Sequence, residues 1–91
     1  MDKLLLLVGK LLLYNNFIYA NMESLDFENA DFSYANLSHT NLKNANLKNT
    51  NLTNAILGYS NLSGADLEGA ILEGAILVNA KLDCMNHPIC N

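Results

Sequence analysis

The chain has 91 residues, enough for one small domain and too few for a second. With 51% apolar and 15% charged residues it is not an acidic disordered chain. The formal charge is −4, and five lysines without a single arginine leave no basic patch to neutralise phosphates, so direct nucleic-acid binding is not expected.

Residues 1–19 form an N-terminal apolar segment unlike the rest. Leu4 to Val8 and Leu11 to Leu13 make an apolar run, broken by Gly9 and Lys10, that is too short to span a bilayer. Two readings fit it. As a signal peptide it carries Lys3 ahead of the apolar run and a cleavage point after Ala20, leaving Asn21 as the mature N-terminus, although Asp2 and Lys10 sit badly in such a segment. Export would make the protein periplasmic or secreted, and its absence cytoplasmic. As a short capping helix the segment has Asp2 as N-cap and turns Leu4, Leu5, Val8, Leu11 and Leu12 to one face.

From Ala20 onward a large apolar residue recurs at every fifth position, from Met22, Phe27 and Phe32 through Leu37, Leu42, Leu47, Leu52, Leu57, Leu62, Leu67, Leu72 and Leu77 to Leu82. Two places before each stands a small residue, as at Ala30, Thr40, Ala55 and Ser60, with Leu25 the exception. Between the two lies mostly Asp or Asn. A period of five fits neither regular element. Five residues advance an α-helix face by about 140°, and on a strand they reverse it, so either would throw alternate leucines into water. The chain must turn inward once per unit, and a backbone turning so often has to find its hydrogen-bond partners in neighbouring coils.

Units such as Ala45-Asn46-Leu47-Lys48-Asn49 and Ala65-Asp66-Leu67-Glu68-Gly69 resemble the pentapeptide-repeat family, and the likeness covers residues 20–84 in thirteen units. The resemblance implies an all-β solenoid, a right-handed quadrilateral β-helix with four units, or twenty residues, per coil and a little over three coils in all. Residues twenty apart then stack. Glu28, Lys48 and Glu68 would form one charge ladder and Glu23 with Lys43 a second, while Asp26 and Asp66 would flank Asn46 without a counter-charge.

The same stacking puts Ile56 and Ile76 in one outward column, Val78 above Gly58 beside them, Tyr59 nearby and Ile71 on the adjoining face. An apolar stripe on a polar solenoid is a candidate surface for a protein partner or for self-association, though single exposed aliphatics are ordinary. The residues 85–91 form a C-terminal tail. Cys84, His87 and Cys90 have ligand chemistry but lack a fourth zinc ligand, so a Cys84–Cys90 disulfide or two free thiols fit better. Ser38 and His39 have no third catalytic partner, and Gly58, Gly64, Gly69 and Gly74 fall at turns. No cofactor, metal or small-molecule substrate is implied. The expected function is a non-enzymatic structural or protein-interaction module. Two alternatives are a DNA-mimicking protector of DNA gyrase, known among proteins this one resembles, and a minimal repeat protein with no independent activity.

Overall fold

The computed structural model describes residues 11–91, which wind into a four-sided solenoid. Parallel bridges join residues twenty apart in four columns. Side 1 stacks Leu11, Asp31, Asn51 and Ile71; side 2 stacks Asn16, Asn36, Ile56 and Ile76. Side 3 stacks Asn21, Asn41, Asn61 and Lys81, and side 4 stacks Asp26, Asn46, Asp66 and Met85. The coils are therefore residues 11–30, 31–50, 51–70 and 71–90.

A bridge residue turns both its N–H and its C=O along the axis to the two residues that flank its counterpart in the preceding coil. Leu37 donates its N–H to Ile56 O at 2.7 Å, and Ile56 donates to Ala35 O at 2.9 Å. The corners are hydrogen-bonded in the same direction, as where His39 N–H meets Gly58 O at 2.9 Å. Within a coil, the small residue of one unit donates back to the large residue of the unit before, as Ala45 does to Leu42 O at 3.0 Å. That closes a four-residue turn. Its third residue has a positive φ at every corner from Tyr14 to Asn79, the pattern of a type II turn, which favours Gly or Asn there. Asn44, Asn49 and Asn54 occupy such corners, and Gly64, Gly69 and Gly74 stand over them in the next coil. A Cβ at any of the three glycines would strike the Asn side-chain oxygen below.

The recurrent Asp or Asn also has a local cause. Its side-chain oxygen accepts the N–H two residues on, from Ile18 at Asn16 to Glu68 at Asp66, and so satisfies a turn amide that the axial ladder leaves out. The large and small columns fill the interior. Phe27, Phe32 and every repeat leucine from Leu37 to Leu67 are fully buried, and Leu47 sits between Phe27 and Leu67 as the register requires. Thr40 and Thr50 stand in the small column because each hydroxyl donates to a carbonyl three residues back, at 2.7 and 2.9 Å. Ser60, equally buried, finds no partner for its Oγ.

Two expectations change. Residues 11–19 are not helical: they are repeat units, with Leu12 and Phe17 in the interior column, Phe17 edge-on to Phe32, and Asn16 bridged to Asn36. The solenoid has four coils where a little over three were expected, because Leu12 and Phe17 continue the five-residue series below Met22. Residues 1–10 lie outside the described residues, so the rest of the capping helix and the start of the signal peptide do too. Cleavage after Ala20 would strip Phe17 from the core and remove the amide and carbonyl partners of Asp31 and Asn36. Gly58 is the second change. Its φ is not positive, and its place is explained by Val78, whose Cγ1 would lie 3.3 Å from an added Cβ.

At the other end the register shortens by one residue, since Asp66 bridges Met85 and not residue 86. Cys84 thereby enters the small inward position beside Ala65 and bonds to Cys90, with an S–S distance of 2.06 Å. The tail then folds across the open end, where Asn91 N–H reaches Leu82 O at 2.7 Å and Ile89 packs against the core. Leu72, Leu77 and Leu82 in the last coil are only half-buried.

Two substitutions test this packing by urea denaturation of the intact chain. Phe17→Ala should cost about 3–5 kcal/mol, the loss expected for a buried ring, and no loss would mean that residues 11–20 do not belong to the core. Ser60→Ala should stabilise by about 1 kcal/mol, because it removes a buried hydroxyl without a partner, and a loss of stability would show that the hydroxyl is engaged.

Candidate interaction face

Side 2 departs from the repeat pattern in the middle of the solenoid. Between residues 16 and 66 the bridge position is Asn or Asp on every unit except one, Ile56, and Ile76 stands above it. Neither isoleucine offers an oxygen to the turn amide two residues on, so Gly58 and Val78 lose the cap that Asn36 gives to Ser38. Both isoleucines are exposed, Ile76 by 50% and the adjacent Val78 by 56%. A local bond has been exchanged for apolar surface.

The corners flanking side 2 depart as well. A positive φ is expensive for a bulky side chain, by roughly 1–2 kcal/mol per residue. Yet all four tyrosines and His39 occupy such corners. Tyr14 and Tyr34 lie at the corner between sides 1 and 2, stacked at 4.9 Å and 6°. Tyr19, His39 and Tyr59 lie at the corner between sides 2 and 3, stacked at 4.7 Å and 22°, then at 4.9 Å and 3°. The spacing is that of neighbouring strands, so the solenoid brings each ring over the next. Aromatic pairs contribute about 0.5–1.5 kcal/mol beyond burial, which offsets much of the corner cost. Stacking covers ring faces and leaves ring edges and hydroxyls to solvent; Tyr19 is 71% exposed.

The result is one apolar side bordered by two aromatic ladders. Tyr14, Ile18, Tyr19, Tyr34, Ile56, Tyr59, Ile76 and Val78 all belong to it, and among the described residues only Leu11, Ile71 and Met85 of the exposed large apolar ones lie elsewhere. Ile56, Ile76, Val78 and Tyr59, expected from the sequence, come together here, while Ile71 is on side 1, across the turn at Glu73 and Gly74. The aromatic borders were not expected. Tyr14, Ile18 and Tyr19 fell in the segment assigned to a helix or leader, and His39 read as a solvated residue. The usable signal was spacing: Tyr14 and Tyr34 are twenty apart, as are Tyr19, His39 and Tyr59.

Among the described residues side 2 itself carries no charged side chain, and Glu73 stands at its border, on the turn from side 1. The other charges gather elsewhere, chiefly on sides 3 and 4. There Asn41 donates to Asn21 and Glu23, and Asn46 donates to Asp26 and Glu28. Lys48 Nζ is 3.7 Å from Asp66, so Asp66 does have the counter-charge it was expected to lack. Hydrogen bonds from the Asn86 amide and the Glu68 N–H, with Lys48 nearby, hold the Asp66 carboxyl below the usual carboxylate range. The Ser63 hydroxyl, donating at 2.6 Å, does the same for Asp83.

The ligand-type residues of the tail are committed to structure. The cysteines are bonded to each other, and His87 Nδ1 accepts the Ile89 N–H at 3.2 Å, which leaves its Nε2–H to donate to Ala70 O at 3.1 Å. Ser38 Oγ donates to Asn36 Oδ1 at 2.7 Å, and His39 is held between two tyrosine rings, so the pair does not form a nucleophile and base. Among the described residues no cluster of His, Cys, Asp and Glu could hold a metal ion, and no helix is long and apolar enough to cross a membrane.

A profile of pentapeptide repeats matches residues 16–49 and 45–83, in eight copies. The chain belongs to the pentapeptide-repeat family. Among solved structures it is similar to a pentapeptide repeat protein from the thylakoid lumen of Arabidopsis thaliana, with 26% identity and a TM-score of 0.80 over 88% of this chain and 55% of that one. A pentapeptide repeat protein from the cyanobacterium Cyanothece 51142 is 32% identical over 79% of this chain and 57% of its own, with a TM-score of 0.38. HetL, from the cyanobacterium Nostoc and involved in regulating heterocyst differentiation, is 29% identical over 78% and 40%, with a TM-score of 0.36. The chain thus spans about half the length of these relatives. No curated protein matches it in sequence.

The pH dependence of stability follows from Asp66. A carboxyl whose pKa is lower in the folded state adds stability above its unfolded value of about 3.9 and loses it as pH falls through the folded value. Asp66→Asn should therefore lower the melting temperature at neutral pH and flatten its decline below about pH 4. An unchanged acid profile in thermal melts would show that Asp66 is not held in this way.

Proposed function

We propose that this pentapeptide-repeat protein is a non-enzymatic interaction module whose contact surface is side 2. The observation that carries the reading is the replacement of turn-capping Asn by Ile at positions 56 and 76, on the same side where tyrosines occupy costly corners. Side 1 departs as well, at Leu11 and Ile71, but only side 2 joins two stacked isoleucines to an aromatic ladder at each border, and departures of that kind mark function more often than stability. The side is flat and presents aliphatic groups and ring edges with no charge, a composition that suits a protein surface better than a phosphate or a charged metabolite. The committed side chains of Ser38, His39 and the tail leave no reacting group for an enzyme reading. The gyrase-protecting reading gains nothing from the surface, since the carboxylates of sides 3 and 4 are interleaved with amides and lysines and form no continuous acidic strip.

The test separates contact from folding. In the variant Ile56→Asn, Ile76→Asn, Val78→Asn the first two changes restore the acceptor that caps the turn amides, so the melting temperature should hold or rise. Capture from extracts of the native host should nevertheless lose the proteins that the unaltered chain retains. A control at Lys43→Asn, on side 3, should retain them. Equal recovery by all three chains would remove side 2 as the contact surface.

A further inference from the structure

On the reading of side 2 as a contact surface, we propose that its occupant is a second copy of the same chain, packed face to face about a two-fold axis with the two solenoids antiparallel. The side has a gradient along the axis. Its N-terminal half is bulky at the borders, with Tyr14, Tyr34 and Tyr19, and its C-terminal half is bare there, with Gly74, Asn54 and Asn79 in the same columns. Aliphatic groups run the other way, dominated by Ile56, Ile76 and Val78. An antiparallel two-fold sets coil 1 of one copy on coil 4 of the other while keeping each corner opposite itself. Tyr14 then faces the second copy's Gly74, Tyr34 its Asn54, Tyr19 its Asn79, and Ile18 its Val78. Bulk meets a smaller residue at these positions, His39 meets the second copy's Tyr59 ring to ring, and each contact is made twice, as isologous symmetry requires.

The parallel two-fold does worse. It sets the Tyr14 and Tyr34 corner against the corner of Tyr19, His39 and Tyr59, crowding rings at one end while Gly74 faces Asn79 across a gap at the other. Charge argues for self-association as well: a chain with a net charge of −4 repels its own copy, and among the described residues side 2 carries no carboxylate on its face, with Glu73 alone at its border. The amide oxygens that would face isoleucine are satisfied beforehand, since Asn16 and Asn36 each accept the N–H two residues on. Shared among four sides and two ends, the 4856 Å² of accessible surface gives roughly 800 Å² to a side, about the per-partner area of a stable interface.

Sedimentation equilibrium of the intact chain over a concentration series should show the mass doubling, and Ile56→Lys, which places two charges in the dry interface, should restore the monomer with an unchanged circular dichroism spectrum. Orientation is read by cross-linking, with the Cys84–Cys90 bond left intact. Chains carrying Ile18→Cys and chains carrying Val78→Cys, mixed under mild oxidation, should give a disulfide-linked dimer that neither forms alone. A monomer at every concentration overturns the proposal, and so does a dimer that Ile56→Lys leaves intact. A dimer linked by Ile18→Cys alone replaces the antiparallel arrangement with the parallel one. If the chain is monomeric while the Ile56, Ile76 and Val78 variant still loses its captured proteins, the second copy is excluded and the contact surface stands; if capture is also unchanged, both fail.

Discussion

The whole molecule depends on hydrogen bonds that run along the axis. A backbone that turns every five residues cannot satisfy its own amides within a coil, so a bridge residue bonds through both its N–H and its C=O to the coil before it, and the residues on either side of it carry the bonds to the coil after. Once that register exists, like positions stack on like. Leucine falls on leucine, alanine and threonine line the narrower column, and every corner lies over a corner. Stability is then shared between neighbours, and the coils at either end differ from those within. The half-buried Leu72, Leu77 and Leu82, closed over by the tail and the Cys84–Cys90 bond, show what an end requires.

The same stacking turns a substitution into a column. An Asn at a bridge position caps a local turn wherever it occurs, but rings only gain from one another when they recur at twenty. Tyr19, His39 and Tyr59 sit at a backbone angle that suits none of them well, and each is held by the ring above or below. The opposite solution stands at Gly64, Gly69 and Gly74, where glycine yields space to the asparagine of the preceding coil. Side 2 therefore differs from sides 3 and 4 in chemistry while sharing their backbone. Polar sides use amide and carboxylate ladders for cohesion, and side 2 gives up its turn caps to show apolar groups.

How much of this was legible in the sequence follows from how local each cause is. The five-residue period of Met22 to Leu82 required inward turns and a stacked solenoid, and charges twenty apart already suggested four units per coil. Ile56, Ile76, Val78 and Tyr59 could be placed on one side from that arithmetic. Leu12 and Phe17 were harder, because a leucine-rich run with Lys10 inside it satisfies a helix or a leader as well as a repeat, and nothing local separates the three. His39 is exposed, as its place outside the column implied, but its stacking could not be read locally because the two rings lie twenty residues to either side.

The sequence by itself determined the repeat, the inward column, the turn chemistry of Asn and Gly, and hence the family, because each is written within five residues and recurs. Only the tertiary structure decided that residues 11–19 belong to the solenoid, that Asp66 meets Lys48 diagonally, that Cys84 slips into the small column when the register shortens by one, and that two aromatic ladders border a single apolar side. Those features arise between coils. They depend on which residues the axial hydrogen bonds bring into contact, and no window of adjacent residues contains that information.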